Sequence, residues 1–424
     1  MNGGLSMAEM KSGYKMTDVG VIPEDWEVKT LGKLACINGR IGFRGYTVKD
    51  LVRKGEGAIA IGGKHISKNY LDLSDAEYIS WKKYYESPEI MVKQGDIVLA
   101  QRGTLGKSAL IKSDIGPATI NPSLVLINKI KCNNLYLIYN MQSSSVTDYI
   151  LQINSQTSIP MISQKQIEGI KIAIAKLDCE QAAIATALSD VDSLISALTK
   201  KIEKKKAIKQ GLMQQLLTGK KRLPGFNDKW KSMLLGDIAE VKDGTHQTPK
   251  YVKSGGKPFY SVENVTADDF KNVKHISLEE HKALTSNYRI EKGDVLMTRI
   301  GSIGCCKYVD WDVDASFYVS LALLKINEKY DSKFISYLSN IKSFKEEVML
   351  NSLVFAIPQK INLGNISLIK VYIPTSKAEQ TAIANILSDC DSEIAALEEK
   401  RDKYKEIKQG MMQQLLTGKI RLIK

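Results

Sequence analysis

The side chains best suited to chemistry in this sequence are those that bind nucleic acid, and they lie in stretches that differ between the two halves. Residues 38–46 read NGRIGFRGY and residues 62–70 read GGKHISKNY, with basic and amide side chains among glycines and aromatics. Residues 242–251 and 260–265 read KDGTHQTPKY and YSVENV. Arg and Lys can donate to guanine edges, Asn can bond adenine, and Lys and Thr commonly hold phosphates. The predicted DNA-contacting residues are Arg40, Arg44, Tyr46, Lys64, His65, Lys68, Asn69, Arg102, His246, Thr248, Lys250, Tyr251, Asn264, Arg289 and Arg299.

Motifs for other chemistry are incomplete. Residues 102–110 (RGTLGKSAL) end like a phosphate-binding loop, but two residues separate Gly103 from Gly106 where that motif needs four. The stretch NPSL at 121–124 shares only its first two residues with the Asn-Pro-Pro-aromatic motif of amino-methyltransferases. Both are predicted to be turns. Six scattered cysteines without a C-x-x-C pair, and four histidines, predict reduced thiols and no metal site. We therefore predict a chain without catalytic groups.

The composition is that of a basic protein of two or three domains. The chain has 424 residues, a net charge of +13 and a pI near 9.1. This charge permits nucleic acid or an anionic membrane as a partner and requires neither. The sequence shows no apolar run of about 18 residues and no apolar centre of a signal peptide near its start, which predicts a cytoplasmic protein without a membrane span.

The elements that must position these side chains occur twice. KQGLMQQLLTGK at 209–220 returns as KQGMMQQLLTGK at 408–419, and EQAAIATALSDVDSLISAL at 180–198 returns at 379–397, both 199 residues later. The inserts 40–92 and 245–290 share almost nothing. The order is therefore domain, helix, domain, helix. Weaker matches join 25–35 to 229–239, 95–106 to 293–304, and, also at a spacing of 199, 135–144 to 334–343.

Each repeated segment predicts a long helix with one apolar stripe. Apolar residues recur at steps of four and three, which is the seam of a coiled coil, and Gly219 and Gly418 are predicted to end the helices. Ser376 and Glu379 have the spacing of a capping box at the start of the second helix. At 1.5 Å per residue each helix would be roughly 58 Å long. The predicted pairing residues are Ile184, Leu188, Val191, Ile195, Leu198, Ile202, Ile383, Leu387, Ile394 and Leu397.

The charge along the two helices predicts their relative direction. Residues 178–198 carry four acids and no base, and residues 200–222 carry nine bases and one acid. The second copy has six acids and no base at 379–399, then seven bases and two acids at 400–421. Antiparallel pairing places each acidic half beside a basic half. We therefore predict an antiparallel coiled coil with approximate two-fold symmetry, carrying two mixed α/β (α+β) domains.

The sequence resembles the specificity (S) subunits of type I restriction-modification systems, the HsdS family. The stretches GVIPEDWEVKTLGKLA, TGKKRLPGFNDKWKSMLLGDIAEV and DGTHQTPKY look like that family's opening, its hinge and a recurrent target-recognition segment. EQTAIANILSDCDSEI and KQGMMQQLLTGKIRL look like its spacer helix. The resemblance implies an N-terminal extension (1–20), a target-recognition domain (21–176), a spacer helix (177–219), a second target-recognition domain (220–375), and a second spacer helix with a tail (376–424).

The resemblance implies a non-catalytic DNA-binding subunit. One domain would read each half of an asymmetric, two-part sequence in double-stranded DNA, and the helices would set the gap between the halves. Two methyltransferase (M) subunits and restriction (R) subunits would be its partners, and S-adenosylmethionine, ATP and magnesium would belong to them. This chain would hold no cofactor and no metal.

Three alternatives remain from the residues alone. The first is a stand-alone DNA-binding regulator, which would bind specific DNA without enzyme partners. The second is an enzyme, a nuclease or nucleotide hydrolase, whose activity would depend on Lys107. The third is a coiled-coil scaffold whose globular ends bind protein, with binding insensitive to salt.

Overall fold

The chain divides into two compact units. The computed structural model describes residues 12–67, 70–154, 160–286, 288–353 and 355–422. Unit 1 comprises Met1–Leu198 and Lys400–Lys424, and unit 2 comprises Thr199–Glu399. Each unit thus contains one globular region and a part of each long helix.

Unit 1 is a mixed α/β unit of short strands and helices. Its strands are β1 (Tyr14–Thr17), β2 (Gly20–Pro23), β3 (Glu27–Thr30), β4 (Cys36–Gly39), β5 (Leu51–Val52), β6 (Gly57–Ile61), β7 (Ile66–Ser67), β8 (Tyr70–Leu71), β9 (Glu77–Ser80), β10 (Ile97–Ala100), β11 (Ser108–Leu110), β12 (Ala118–Ile120), β13 (Leu124–Asn128) and β14 (Lys171–Ile174). Its short helices are α1 (Leu31–Leu34), α2 (Trp81–Tyr85), α3 (Asn134–Met141), α4 (Ser144–Asn154) and α5 (Gln164–Glu168).

Unit 2 has the same kinds of element. Its strands are β15 (Trp230–Leu234), β16 (Ala239–Asp243), β17 (Tyr251–Val252), β18 (Lys257–Tyr260), β19 (Lys274–Ile276), β20 (Val295–Thr298), β21 (Cys306–Tyr308), β22 (Ser316–Phe317), β23 (Leu321–Ile326) and β24 (Lys370–Pro374). Its short helices are α7 (Leu235–Ile238), α8 (Val262–Ala267), α9 (Leu278–Leu284), α10 (Ser332–Leu338), α11 (Lys342–Leu350) and α12 (Leu363–Ser367). The long helices are α6 (Asp178–Leu216) and α13 (Lys377–Leu415).

The two units have the same sheet topology. Unit 1 contains an antiparallel sheet of order β11-β10-β13-β4, and unit 2 repeats it as β21-β20-β23-β16. A second sheet has the order β12-β6-β9-β5 in unit 1 and β22-β18-β19-β17 in unit 2. In both, the first pair is parallel and the other pairs are antiparallel. The divergent inserts supply most of this second sheet, so their different sequences adopt one topology.

The central strands β10 and β20 of the two antiparallel sheets are buried on both faces, which explains their continuous apolar sequences. Along β10, Ile97 and Leu99 point into one core cluster while Val98 and Ala100 point into another. Strand β20 of unit 2 alternates in the same way between its two clusters. Because side chains alternate along a strand, a strand covered on both faces is apolar at nearly every position, and the polar exception in β20 is the buried Thr298.

The long helices run antiparallel within each unit. In unit 2, Lys205 pairs with Glu393 at 2.7 Å, whereas Lys209, one turn later, pairs with the earlier residue Asp391 at 2.5 Å. In unit 1, Asp192 and Lys408 pair at 2.7 Å. These bonds join the acidic half of one helix to the basic half of the other. The antiparallel pairing predicted from the charge pattern is therefore confirmed.

The predicted pairing residues also pack against the globular regions. In unit 1, Ile184 and Leu188 lie in one core cluster with Leu415 of α13 and with sheet residues. In unit 2, Ile383 and Leu387 lie with Leu216 of α6 in the corresponding cluster. Leu198, Ile202 and Ile394 are also buried, whereas Val191, Ile195 and Leu397 are half-buried.

The same buried ion pair occurs at the start of each long helix. In unit 1, the fully buried carboxylate of Glu180 accepts hydrogen bonds from the Arg421 guanidinium and, at 3.2 Å, from Trp26 Nε1. In unit 2, Glu379 accepts bonds of 2.6 and 2.7 Å from Arg222 and one of 3.5 Å from Trp230 Nε1. The Glu379 carboxylate therefore binds Arg222 and Trp230, and the predicted capping box is wrong.

Two further repeated contacts attach each globular region to a helix. Asn133 N donates to Gln181 Oε1 in unit 1, and Asp331 N donates to Gln380 Oε1 in unit 2. The Tyr139 hydroxyl donates to Asp192 in unit 1, and the Tyr337 hydroxyl donates to Asp391 in unit 2. Asn133 and Tyr139 thus correspond to residues 198 positions later. The spacing of 199 predicted for this region was one residue too long.

Helix α6 differs from the sequence prediction in one respect. By length and composition alone it could cross a membrane, although the sequence predicted no such segment. This indication is weak, because helices packed in protein cores pass the same test, and Ile184 and Leu188 of α6 lie in a core.

Gly219 and Gly418 have φ of +69° and +68°, which matches their predicted role in ending the helices.

Candidate nucleic-acid interface

Arg40 holds a loop of unit 1 against the second sheet. Its side chain is buried, with Nε donating to Ile120 O at 3.0 Å and Nη2 to Thr119 Oγ1 at 2.9 Å. Nη1 donates to Arg44 O at 3.2 Å, and the guanidinium lies 5.4 Å from the centre of the Tyr46 ring. Arg40 therefore fixes the backbone that presents Arg44 and Tyr46, both half-buried, and its own donors are already engaged.

The turn that carries Lys64 is built around a buried histidine. His65 is 1% exposed, and its Nδ1 accepts a 2.9 Å hydrogen bond from Gly62 N. Lys64 is exposed and lies 3.3 Å from Asp75 Oδ2. Of Lys64 and His65, Lys64 is thus the residue that an external partner can reach. Lys68 and Asn69 lie outside the described residues.

The stretch 121–124 joins this turn to Arg102. Ser123 Oγ accepts from Gly63 N at 3.4 Å, and Ser123 O accepts from Arg102 N at 3.3 Å. Asn121 Oδ1 accepts from Ser123 Oγ at 2.6 Å and orients it. The structure therefore brings Lys64 and the exposed Arg102 to neighbouring loops, and the predicted turn at 121–124 is confirmed.

The predicted residues of unit 2 that lie nearest each other surround Asp243. Arg299, which is buried, bonds Asp243 Oδ1 at 2.5 Å, and His246 Nε2 lies 2.8 Å from Asp243 Oδ2. The Tyr288 hydroxyl donates to Asp243 O. This network holds the loop after β16, so Arg299 positions the loop while His246 is exposed on it.

A cleft of about 270 Å³ in unit 2 brings together Tyr251 and Asn264, with Lys274 and Tyr318 on its walls. The Lys274 ammonium lies 5.0 Å from the centre of the Tyr251 ring. Asn264 Oδ1 accepts from Ser261 N at 2.9 Å at the start of α8, so its amide is used as a helix cap. The remaining predicted residues of unit 2, all exposed, are Thr248, Lys250 and Arg289.

Some exposed side chains were not predicted from the sequence. Phe355 and Ile357 are each 99% exposed in unit 2, and Trp81 and Tyr85 are stacked and exposed on α2 of unit 1. A pattern of residue types does not separate an exposed aromatic in an irregular loop from a buried one. Trp81 and Tyr85 have the four-residue spacing of one helix face, and Phe355 and Ile357 have the two-residue spacing of one strand face, so spacing alone would assign them to a core.

The described ranges contain no group of three or more His, Cys, Asp or Glu side chains that could hold a metal ion. The adjacent thiols of Cys305 and Cys306 have different surroundings. Cys305 is exposed, whereas burial raises the pKa of Cys306 to about 12.

Comparison with known proteins agrees with this duplicated architecture. The family model described as "Type I restriction modification DNA specificity domain" matches residues 23–210 and again residues 227–409. The chain belongs to this family. Its two matches correspond to the two repeats identified from the sequence, and they confirm the predicted resemblance.

The relatives match along almost the whole chain. A putative type I restriction enzyme specificity subunit, MjaX, from Methanocaldococcus jannaschii is 28% identical, with 97% of both chains covered. The MjaVIII specificity subunit of the same organism is 26% identical, with 95% of this chain and 94% of the relative covered.

Solved structures show the same fold. The S subunit of a type I restriction-modification system from M. genitalium has a TM-score of 0.61 at 16% identity, with 96% of this chain and 99% of that chain covered. A chain from a structure of the type I R-M system, described for its complex assembly and conformational transition, has a TM-score of 0.54 at 16% identity. It covers 94% of this chain and 99% of that chain.

Proposed function

We propose that this specificity subunit reads an asymmetric DNA sequence in two parts, with one half-site bound by each unit and a gap set by the paired helices. The supporting observation is one sheet topology built twice from different sequences. The loops that follow the strands carry different side chains: Lys64 follows β6 and Arg102 follows β10 in unit 1, whereas His246 follows β16 and Arg299 follows β20 in unit 2. A common scaffold with different donors suits two different base sequences.

We further propose that the chain is non-catalytic and docks two methyltransferase subunits, through which restriction subunits assemble. The two repeated helices support this, because they present equivalent apolar residues at the surface, next to the twelve-residue repeats. Ile208 is 44% exposed and Ile407 is 41% exposed, at matching positions of α6 and α13. Two equivalent surfaces suit two copies of one partner. S-adenosylmethionine, ATP and magnesium would then be bound by the partners, in the cytoplasm.

Exchange of one unit's globular region tests the division of labour. Residues 21–176 would be replaced by the matching region of a relative with a different target, and the methylated sequence of the assembled complex would be determined. The expected result is a change in one half of the recognised sequence, with the other half and the gap retained. The reciprocal replacement of 220–375 is the matched control and should change the other half.

Two results would count against this function. A replacement that alters both halves together would refute the assignment of one half to each unit. Sequence-specific binding by the chain alone, with methylation unaffected by its removal, would instead support the stand-alone regulator.

A further inference from the structure

A short loop in unit 2 exposes two large apolar side chains almost completely. Phe355 and Ile357 are each 99% exposed, whereas most apolar residues of that size in unit 2 lie in its two core clusters. Leu350, at the end of α11, is also 77% exposed. Exposed apolar side chains gathered in one place commonly mark a binding site.

The loop is held by backbone hydrogen bonds on both sides. Leu353 N donates to Lys360 O at 2.8 Å, and Ala356 N donates to Leu353 O at 3.0 Å. Gln359 O accepts from Gly301 N at 2.8 Å, and Ile361 N donates to Arg299 O at 2.9 Å. The tip is therefore presented on an ordered base, which reduces the entropy lost when it binds.

The bonds at its base place this loop beside predicted DNA-contacting residues. Arg299 bonds Asp243, and Asp243 in turn contacts the exposed His246. The base of the apolar loop and the loop after β16 therefore share Arg299.

The charge along the chain on both sides of the tip fits a polyanion. Residues 348–378 contain no Asp or Glu, and they include Lys360, Lys370 and Lys377. Lys360 is exposed and lies in the bridge that closes the loop. Apolar side chains in a segment with basic residues and no acidic ones are typical of proteins that insert Phe, Ile or Leu between DNA base pairs and kink the duplex.

We infer that the tip formed by Phe355 and Ile357 is a wedge that enters a base step of double-stranded DNA at the half-site of unit 2. This inference rests on the proposed DNA-reading function and extends it. Unstacking one step opens the duplex, and Lys360 neutralises a neighbouring phosphate. Discrimination at that step then comes from how easily the sequence unstacks, as for pyrimidine–purine steps.

The test uses the full chain with its methyltransferase companion. The wild-type complex first selects duplexes from a random-sequence pool, and the enriched duplex, labelled at both ends for energy transfer, is then the probe for affinity and bending. Phe355→Ala is expected to lower affinity about 10- to 100-fold, the range of base–aromatic stacking, and to reduce the bend. Phe355→Leu should retain most of the bend.

Two control variants separate the wedge from charge and from general surface effects. Leu368→Ala removes another exposed apolar side chain of unit 2 and should leave affinity and bending unchanged. Lys360→Ala should lower the salt dependence of binding by about one phosphate contact, whereas Phe355→Ala should not change that slope. Circular dichroism of each variant should match wild type, because the side chains of Phe355, Lys360 and Leu368 are all exposed.

The outcomes are distinguishable. If the wild-type complex enriches no duplex, the proposed function fails and the wedge fails with it. If it enriches a duplex but Phe355→Ala binds and bends it like wild type, only the wedge is overturned. Loss of methyltransferase binding in Phe355→Ala, with DNA binding intact, would also overturn the wedge and assign the tip to a protein interface.

Discussion

The ion pair between Glu180 and Arg421 predicts a strong dependence of unit 1 on the end of the chain. The Glu180 side chain is fully buried, and Arg421 is 28% exposed. Replacing Arg421 with alanine would leave a buried carboxylate whose remaining partner is Trp26 Nε1, at 3.2 Å. Removing one member of a buried pair typically costs about 3–5 kcal/mol. We expect about 3 kcal/mol, because Arg421 is partly exposed and water can reach the vacated space.

Hydrogen exchange measures this loss in each unit separately. A change of about 3 kcal/mol raises the opening equilibrium about 150-fold. Arg421→Ala should therefore lose protection in unit 1 strands β10 and β13, while β20 and β23 of unit 2 keep theirs. Arg222→Ala, which removes the equivalent partner of Glu379, should give the reverse pattern.

Two variants make the test specific. Lys171→Ala removes the same charge from an exposed pair with Asp18 and should change stability by less than about 1 kcal/mol. Glu180→Gln combined with Arg421→Ala removes the unpaired charge and should restore part of the loss. Equal loss of protection in both units after Arg421→Ala, or no loss in unit 1, would refute the reasoning.

Three other predictions concern unit 2. Burial and the bond to Asp391 raise the pKa of Tyr337 in the folded protein. In the unfolded chain tyrosine ionises near about pH 10, so raising the pH above that value stabilises the unfolded state relative to the folded state. The urea midpoint should therefore fall above about pH 10, and it should fall less steeply in Tyr337→Phe. Lys209→Glu places an acid beside Asp391 and should destabilise unit 2 by about 1 kcal/mol at low salt and by less at 1 M NaCl. Urea denaturation at the two salt concentrations measures the difference. Gly304→Ala should cost at least about 1–2 kcal/mol by thermal unfolding, because φ is +83° and a Cβ would lie 3.0 Å from Val348 Cγ1. A wild-type pH dependence in Tyr337→Phe, or wild-type stability in Lys209→Glu or Gly304→Ala, would contradict the stated cause.

The paired helices could be predicted because their signal is local and repeated. The steps of four and three identified the stripe, and the acid-rich and base-rich halves gave the antiparallel direction that Asp192 and Lys408 confirm. The buried strands could be found from apolar runs such as 96–100. Glu379 was assigned to a capping box, because its spacing from Ser376 fits one. Its partner Arg222 lies 157 residues away, and spacing alone cannot show it.

The reading residues were harder to predict, because residue type does not reveal whether a donor is already engaged. Arg40 and Arg299 have the right chemistry but hold loops from buried positions. Lys64 and His246 are exposed on loops that buried residues hold in place. The shared topology of the second sheets was missed, because short strands in divergent inserts have no common residues to align.

Mapping methylated adenines across the genome, with and without this chain, tests the central proposal most directly. Cells would carry the companion methyltransferase in both cases. We expect deletion of this chain to remove methylation from one asymmetric, two-part motif with a fixed gap. Unchanged methylation at every motif, with an active methyltransferase present, would contradict it.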